Sequence, residues 1–386
     1  MKNSSVMLIA AEASSAQYAL KLMQYWKSQN LSLDVFGVGS SEMELHGQRR
    51  IGKSEDMAIV GLAEVIAHYA DLKLVFNNLI DEARRVRPKF VLLMDYPDFN
   101  IRLAKKLKSE LGPDIKIFYY ISPQIWAWRK NRIHDIKKCC DKVFLLFPFE
   151  KIFYDQYQVP NEFVGHPLLE DLDSALLDQN KIELSRQKYG IQNNEFVLAL
   201  MPGSRKSEIE FNFQTQLETA KILLKKYKKL RLMIFVAPTL SKDEIQSRLN
   251  DFGSPYILIK ENPNQMISMA HLVLATSGTA TLMVGLLQKP MVIMYKMKWI
   301  TGVIAKVIVR GVKFFGLVNL IMDQEIVPER FQNQANPEEL SRLLSQYIDD
   351  HQYYNNTVNL LSQLQFKLGD KGATQRVGSA LMKYLE

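Results

Sequence analysis

The chain has 386 residues, 47% hydrophobic and 23% charged, too many for one ordinary domain and enough apolar material for two cores. Its 49 Lys and Arg outnumber 41 Asp and Glu, a formal charge of +8 that favours anionic partners. No run of about 18 apolar residues offers a membrane span, and "MKNSSVMLIAA" is too short an apolar opening for a secretory leader.

Short apolar runs alternate with helical patterns along most of the chain, the grammar of βαβ units. Strands are expected at 6–10, 33–38, 89–94, 115–120 and 142–147. The first helix, 17–28, carries Ala19, Leu22, Met23 and Trp26 on one face. Cys139 and Cys140, the only cysteines, are sequence neighbours that rarely close a relaxed disulfide, so a reducing compartment is expected. The segment 165–180, "GHPLLEDLDSALLDQN", is acidic and without a strand pattern, and reads as a linker. The pattern then repeats at 196–201, 230–237, 255–259, 272–275 and 291–295, before a helical tail from about 336. The expectation is an α/β protein of two doubly wound, Rossmann-like domains: 1–170, 171–350, and C-terminal helices 351–386 that pack back on the first domain or swap in a dimer. Facing sheets of this kind make a cleft at their strand C-termini, where open α/β sheets bind ligands.

The loops carry the chemistry. In "LLMDYPDFN", Asp95 ends a strand, where a carboxylate can take a proton from an incoming hydroxyl, while Asp98 is placed to cap the next helix. In "YISPQIWAWR", Trp126 and Trp128 either stack on a sugar or fill an apolar corner, beside Arg129. His166 stands at the domain junction, a position open to a structural or a binding role. In the second half, "MPGSR" places Gly203 in a turn, Ser204 where it can cap a helix, and Arg205 as a planar fork for phosphate. "ATSGTATL" puts Ser277, Gly278 and Thr279 between strand and helix, where free N–H groups meet anions. No Walker-type Gly-Lys-Ser/Thr follows either strand, no Cys/His cluster has zinc spacing, and no nucleic-acid-binding module is recognised. The stretch 297–315 is basic and amphipathic: drawn as a helix, Lys306, Arg310 and Lys313 share one face, suited to lipid head groups or to a wet edge of a buried helix. A second apolar stretch, 56–69, is an alternative membrane contact.

The stretches "MAIVGLAEV", "DYPDFN", "YISPQIWAWR", "FPFEKIFY", "FVGHPL", "MPGSR" and "SGTATL", in this order, resemble the lipid-A-disaccharide synthase family along nearly the whole chain. The resemblance implies a GT-B type glycosyltransferase fold and an inverting, metal-independent transfer with no cofactor. It joins UDP-diacylglucosamine to diacylglucosamine 1-phosphate at the cytoplasmic surface of the inner membrane. The resemblance assigns Asp95 as the base, while the places of the loops put Glu12, to orient a hydroxyl or the base, with Ser14, Trp126, Trp128, Arg129 and His166 on the acceptor side. Gly203, Ser204, Arg205, Ser277, Gly278, Thr279, Lys296 and Asn319 fall on the donor side. Against the family pattern, Ala11 and Ser15 replace glycines, Ala16 an aspartate, Met283 a glutamate, Lys296 an arginine and Val318 a proline. The alternative reading is a relative with another lipid or sugar substrate, or a non-catalytic UDP-sugar- or lipid-binding protein.

Overall fold

A computed structural model describes residues 4–57, 69–126, 129–297 and 314–385. Its contacts divide into two compact units: Met1–Glu170 with Leu368–Glu386, and Asp171–Lys367.

The first unit is built on a seven-stranded sheet, in order β3-β2-β1-β4-β5-β6-β7. Its strands are β1 (Ser4–Ala10), β2 (Leu33–Gly39), β3 (Arg49–Lys53), β4 (Phe90–Met94), β5 (Lys116–Tyr120), β6 (Lys142–Leu145) and β7 (Asn161–Phe163). Every neighbouring pair is parallel. Parallel strands need crossovers that cover both faces, which explains why the central strands are apolar at successive positions instead of alternating. Val91, Leu92 and Leu93 are all fully buried. Helix Ala13–Ser28 covers this core with the expected face of Ala19, Leu22, Met23 and Trp26.

The second unit carries a six-stranded parallel sheet in order β10-β9-β8-β11-β12-β13. Its strands are β8 (Phe196–Met201), β9 (Leu230–Phe235), β10 (Ile257–Ile259), β11 (Leu272–Thr276), β12 (Met291–Tyr295) and β13 (Glu329–Phe331). The ten strands expected from sequence are all present. The three that were not expected, β3, β7 and β13, are short edge strands with charged residues, "RRIGK", "NEF" and "ERF".

The expected tail boundary at 351 moves to 368. Helix His351–Ser362 and the turn Leu364–Lys367 stay with the second unit because Leu361 and Leu364 bury against the helix Ala280–Leu286. A Cβ on Gly285 would meet Leu364 at 2.8 Å and Val318 at 2.9 Å, so a larger residue there would have to push these side chains aside. Residues beyond 368 return to the first unit. There Trp26 donates from Nε1 to the Gly378 carbonyl at 3.2 Å, and the Tyr25 and Ser379 hydroxyls lie 2.7 Å apart. Thr374 bonds the Glu170 carboxylate through its N–H and hydroxyl, at 2.8 and 2.7 Å. Among the described residues no helix is long and apolar enough to cross a membrane.

Candidate active site

In an open parallel sheet, ligands bind outside the strand C-termini where the strand order reverses. In the first sheet that point lies between β1 and β4, where Ala10 is in register with Met94. The residues that follow are Ala11 and Glu12 on one side, Asp95 and Tyr96 on the other. Glu12 is half-buried and caps helix Ala13–Ser28; its N–H donates to Ser15 Oγ at 3.1 Å, which donates back to the Glu12 carbonyl at 2.9 Å. Ser15 is therefore fastened into the cap, Ala16 is buried in the core, and Ser14 is half-buried on the first turn.

Asp95 is half-buried and left-handed, with φ 48°, and so is Tyr96, with φ 45°. Asn100 Nδ2 donates to the Met94 and Asp95 carbonyls at 3.1 and 2.7 Å, and the Tyr119 hydroxyl donates to the Asp95 carbonyl at 2.5 Å. Asp98 does not cap the helix Pro97–Leu111, because the left-handed turn makes Tyr96 the cap. Asp98 lies one position inside the helix and pairs with Arg129, at 3.1 Å, and with Arg132. Arg129 is thereby held over the first turn of the helix that follows Asp95.

The loops after β5 and β6 are joined by Glu150. One carboxylate oxygen accepts Trp126 Nε1 at 3.2 Å, and the other accepts the Leu146 and Phe147 N–H groups, each at 3.1 Å. The Trp126 ring meets Phe149 edge-on at 4.9 Å, and Phe149 stacks on Phe147 at 5.4 Å. His166 continues this row, 5.5 Å from Phe147 and 6.1 Å from Tyr18. Burial lowers His166 to about 3, with Lys21 adding to the effect, so its ring is neutral and Nδ1 accepts the Leu168 N–H at 3.2 Å. Trp128 lies outside the described residues, as do Lys306, Arg310, Lys313 and most of the apolar stretch 56–69.

In the second sheet the order reverses between β8 and β11, where Ala275 is in register with Met201. The two loops that leave these strands are Pro202–Arg205 and Ser277–Thr279, the pair singled out from sequence. Buried Gln216 ties their roots together, donating to the Met201 carbonyl and to Thr276 Oγ1, both at 3.2 Å. Ser204 does not cap the next helix. Arg205 holds the cap position of Lys206–Lys226, and Glu208 Oε2 reaches back to the N–H groups of Ser204, at 2.8 Å, and Arg205, at 3.4 Å. Arg205 Nη1 lies 3.6 Å from the same carboxylate. Gly203 has φ 125°, and a Cβ there would meet Glu208 at 2.6 Å. Glu208 escaped the sequence reading, although its place three residues after the cap is a known signature; Glu150 repeats that spacing after Phe147.

Gly278 and Thr279 are exposed, and a Cβ on Gly278 would meet open space, so an anion can approach the backbone there. Ser277 N–H is already committed to the Met294 carbonyl at 2.9 Å. Lys296 joins the helix below the loop: Nζ donates to Thr215 Oγ1 at 2.8 Å, and its N–H donates to Asn212 Oδ1 at 2.7 Å. Asn319 is fully buried and saturated, donating to the Val327 carbonyl and Glu329, and accepting the Ile326 and Val327 N–H groups. Of these partners, Glu329 also holds the N–H groups of Phe315 and Gly316. Ser277 and Glu329 line one cavity of about 160 Å³ with Tyr295, Phe315 and Phe331. A larger one, about 440 Å³ around Lys181 and Gln265, includes none of the residues singled out. Met283 is buried. Among the described residues no group of three or more His, Cys, Asp or Glu could hold a metal.

A family model described as lipid-A-disaccharide synthetase matches residues 6–382. A relative from Legionella pneumophila strain Philadelphia 1, lipid-A-disaccharide synthase 1, is 37% identical over 374 residues, covering 97% of this chain and 96% of its own. Among solved structures, a glycosyltransferase from Rickettsia africae superposes with a TM-score of 0.57 at 10% identity, covering 100% of this chain and 99% of that one. A UDP-GlcNAc 2-epimerase from Neisseria meningitidis bound to UDP-GlcNAc gives 0.56 at 14%, covering 98% and 99%. At such identities the structural matches speak for the fold alone, the two-domain glycosyltransferase (GT-B) class.

Proposed function

The chain belongs to the lipid-A-disaccharide synthase family, and on that premise we propose that it joins UDP-diacylglucosamine to diacylglucosamine 1-phosphate. It is a glycosyltransferase of lipid A biosynthesis; the finer reading concerns which groups do the work. The observation that carries it is the position of the loops: Asp95 at the reversal of the first sheet, and Gly203–Arg205 with Ser277–Thr279 at the reversal of the second.

In this reading Asp95 takes the proton of the acceptor 6-hydroxyl as that oxygen attacks the donor's anomeric carbon. The new C–O bond forms on the face opposite the leaving group, the bond to the diphosphate breaks with its electron pair, and UDP leaves. Charge develops on the diphosphate during this step. Arg205 and the open backbone at Gly278 and Thr279 are the groups suited to receive it, by charge-assisted hydrogen bonds and without a metal. Trp126 and Arg129 border the acceptor on the other sheet. The product and the substrates are acylated, and the +8 charge suits an anionic membrane surface. We assign the protein to that surface, as a peripheral protein of the cytoplasmic face.

The test is direct: the purified protein is incubated with both substrates in detergent, and the disaccharide is followed by mass spectrometry. Formation of disaccharide 1-phosphate with equimolar UDP is expected. Binding of UDP-diacylglucosamine without turnover would overturn the catalytic reading in favour of a binding protein.

A further inference from the structure

The backbone at Asp95 is unusual for its residues. Asp95 and Tyr96 are consecutive left-handed positions, at φ 48° and 45°, and neither is glycine. The left-handed region costs any residue that carries a Cβ, aspartate less than tyrosine, and two such residues in succession persist only where their surroundings enforce it.

Two buried groups do so. The Asp95 carbonyl accepts from Asn100 Nδ2 at 2.7 Å and from the Tyr119 hydroxyl at 2.5 Å. A carbonyl oxygen has two lone pairs, and both are engaged. Asn100 also ties the Met94 carbonyl with the same amide at 3.1 Å, and its N–H donates to the Tyr96 carbonyl at 3.1 Å. Asn100 and Tyr119 are both fully buried. Turning the 95–96 peptide plane would strand two donors in the interior, a penalty that exceeds the ordinary net value of a hydrogen bond.

We infer that Asn100 and Tyr119 are positioning residues for Asp95: by filling both lone pairs of its carbonyl they lock the left-handed 95–96 peptide, and so fix the carboxylate at the strand end. The inference rests on the reading of Asp95 as the base. Burial first, and the neighbouring Asp95 second, push the Tyr119 hydroxyl well above its ordinary range, which keeps it a donor throughout the working pH range. The arrangement differs from simple packing in one respect: its value lies in the orientation of a single peptide, so a residue that accepts positive φ freely can relieve the need for it. Glycine at 96 is such a residue.

The experiment measures kcat and both KM values for the full-length protein and for Asn100→Ala, Tyr119→Phe, Asn100→Ala/Tyr96→Gly and Asp95→Asn. Misplacing the base should lower kcat on the order of ten- to a hundredfold in Asn100→Ala and several-fold in Tyr119→Phe, with KM values within about threefold of wild type. The double variant should recover part of the lost kcat. Unchanged kcat in Asn100→Ala overturns the inference, as does a loss seen only as raised KM. Should Asn100→Ala not fold, Tyr119→Phe decides alone, since it deletes one oxygen and keeps the ring. Asp95→Asn separates the two levels: full activity in that variant overturns the base reading, whereas its inactivity beside fully active Asn100→Ala and Tyr119→Phe overturns only the clamp.

Discussion

The Glu150 carboxyl accepts hydrogen bonds from Trp126 and two backbone N–H groups, yet burial outweighs them and raises it to about 7. In the unfolded chain it ionises near 4.5. A raised acid is favourable to the fold only while protonated: its contribution is full below 4.5 and is lost as pH climbs through 7. His166 has the opposite sense, since its lowered value favours the fold above 6.5 and is lost toward about 3. Comparing wild type with Glu150→Gln cancels the histidine, which both proteins keep. Urea denaturation midpoints from pH 4.5 to 7.5 should shift in favour of Glu150→Gln as pH rises, and a constant difference would contradict the assignment. Residues of this kind were hidden in the sequence because their chemistry is made by burial. The places of Asp95 and Arg205 just beyond strands, by contrast, were legible from the apolar runs before them. Asn319, picked out for the donor side, has all its hydrogen bonds taken by the Val327 carbonyl, the Ile326 and Val327 N–H groups and the Glu329 carboxylate, partners the sequence did not show.

At the level of elements, both reversal points are built alike, with a loop from the first strand of the sheet and a loop from the strand that crosses back beside it. The pairing of Gly203–Arg205 with Ser277–Thr279 was visible as two glycine-containing strand-to-helix turns; that they are neighbours follows only from the strand order. The edge strands β3, β7 and β13 were missed for a physical reason: half of an edge strand's surroundings is solvent, so it carries charge and loses the apolar run that marks a central strand. The first loop also yields a sharp prediction. Gly203→Ala places a methyl against Glu208 at a backbone φ of 125°, which pushes away the carboxylate that orders the Ser204 and Arg205 N–H groups. Losing one charge-assisted bond to the donor, about 1.5–3 kcal/mol, should raise its KM roughly ten- to a hundredfold. Because alanine is strained at that φ, the melting temperature should also fall by roughly a few degrees; an unchanged donor KM would show that this loop does not touch the donor.

On the scale of the molecule, the first unit is discontinuous, completed by residues from the far end of the chain. The sequence offered a helical tail that packs back on the first domain or swaps in a dimer, but not the residue at which it crosses, because its docking depends on Trp26, Tyr25 and Glu170, hundreds of positions away. Ala373, Val377 and Leu381 bury completely in that contact, and Arg376 Nε donates to the Val164 carbonyl at 2.8 Å. Removing residues 368–386 should therefore lower the melting transition of the first unit by roughly 5 °C or more, while the second unit keeps its own. Calorimetry resolves the two, and an unshifted first transition would mean that the tail is dispensable to the fold. The central claim, that Asp95 takes the acceptor proton in disaccharide formation, is tested most directly by the rate of the Asp95→Asn variant with saturating substrates. The expected result is disaccharide formation slowed roughly a hundredfold or more with UDP affinity unchanged; a rate within about threefold of wild type would contradict it.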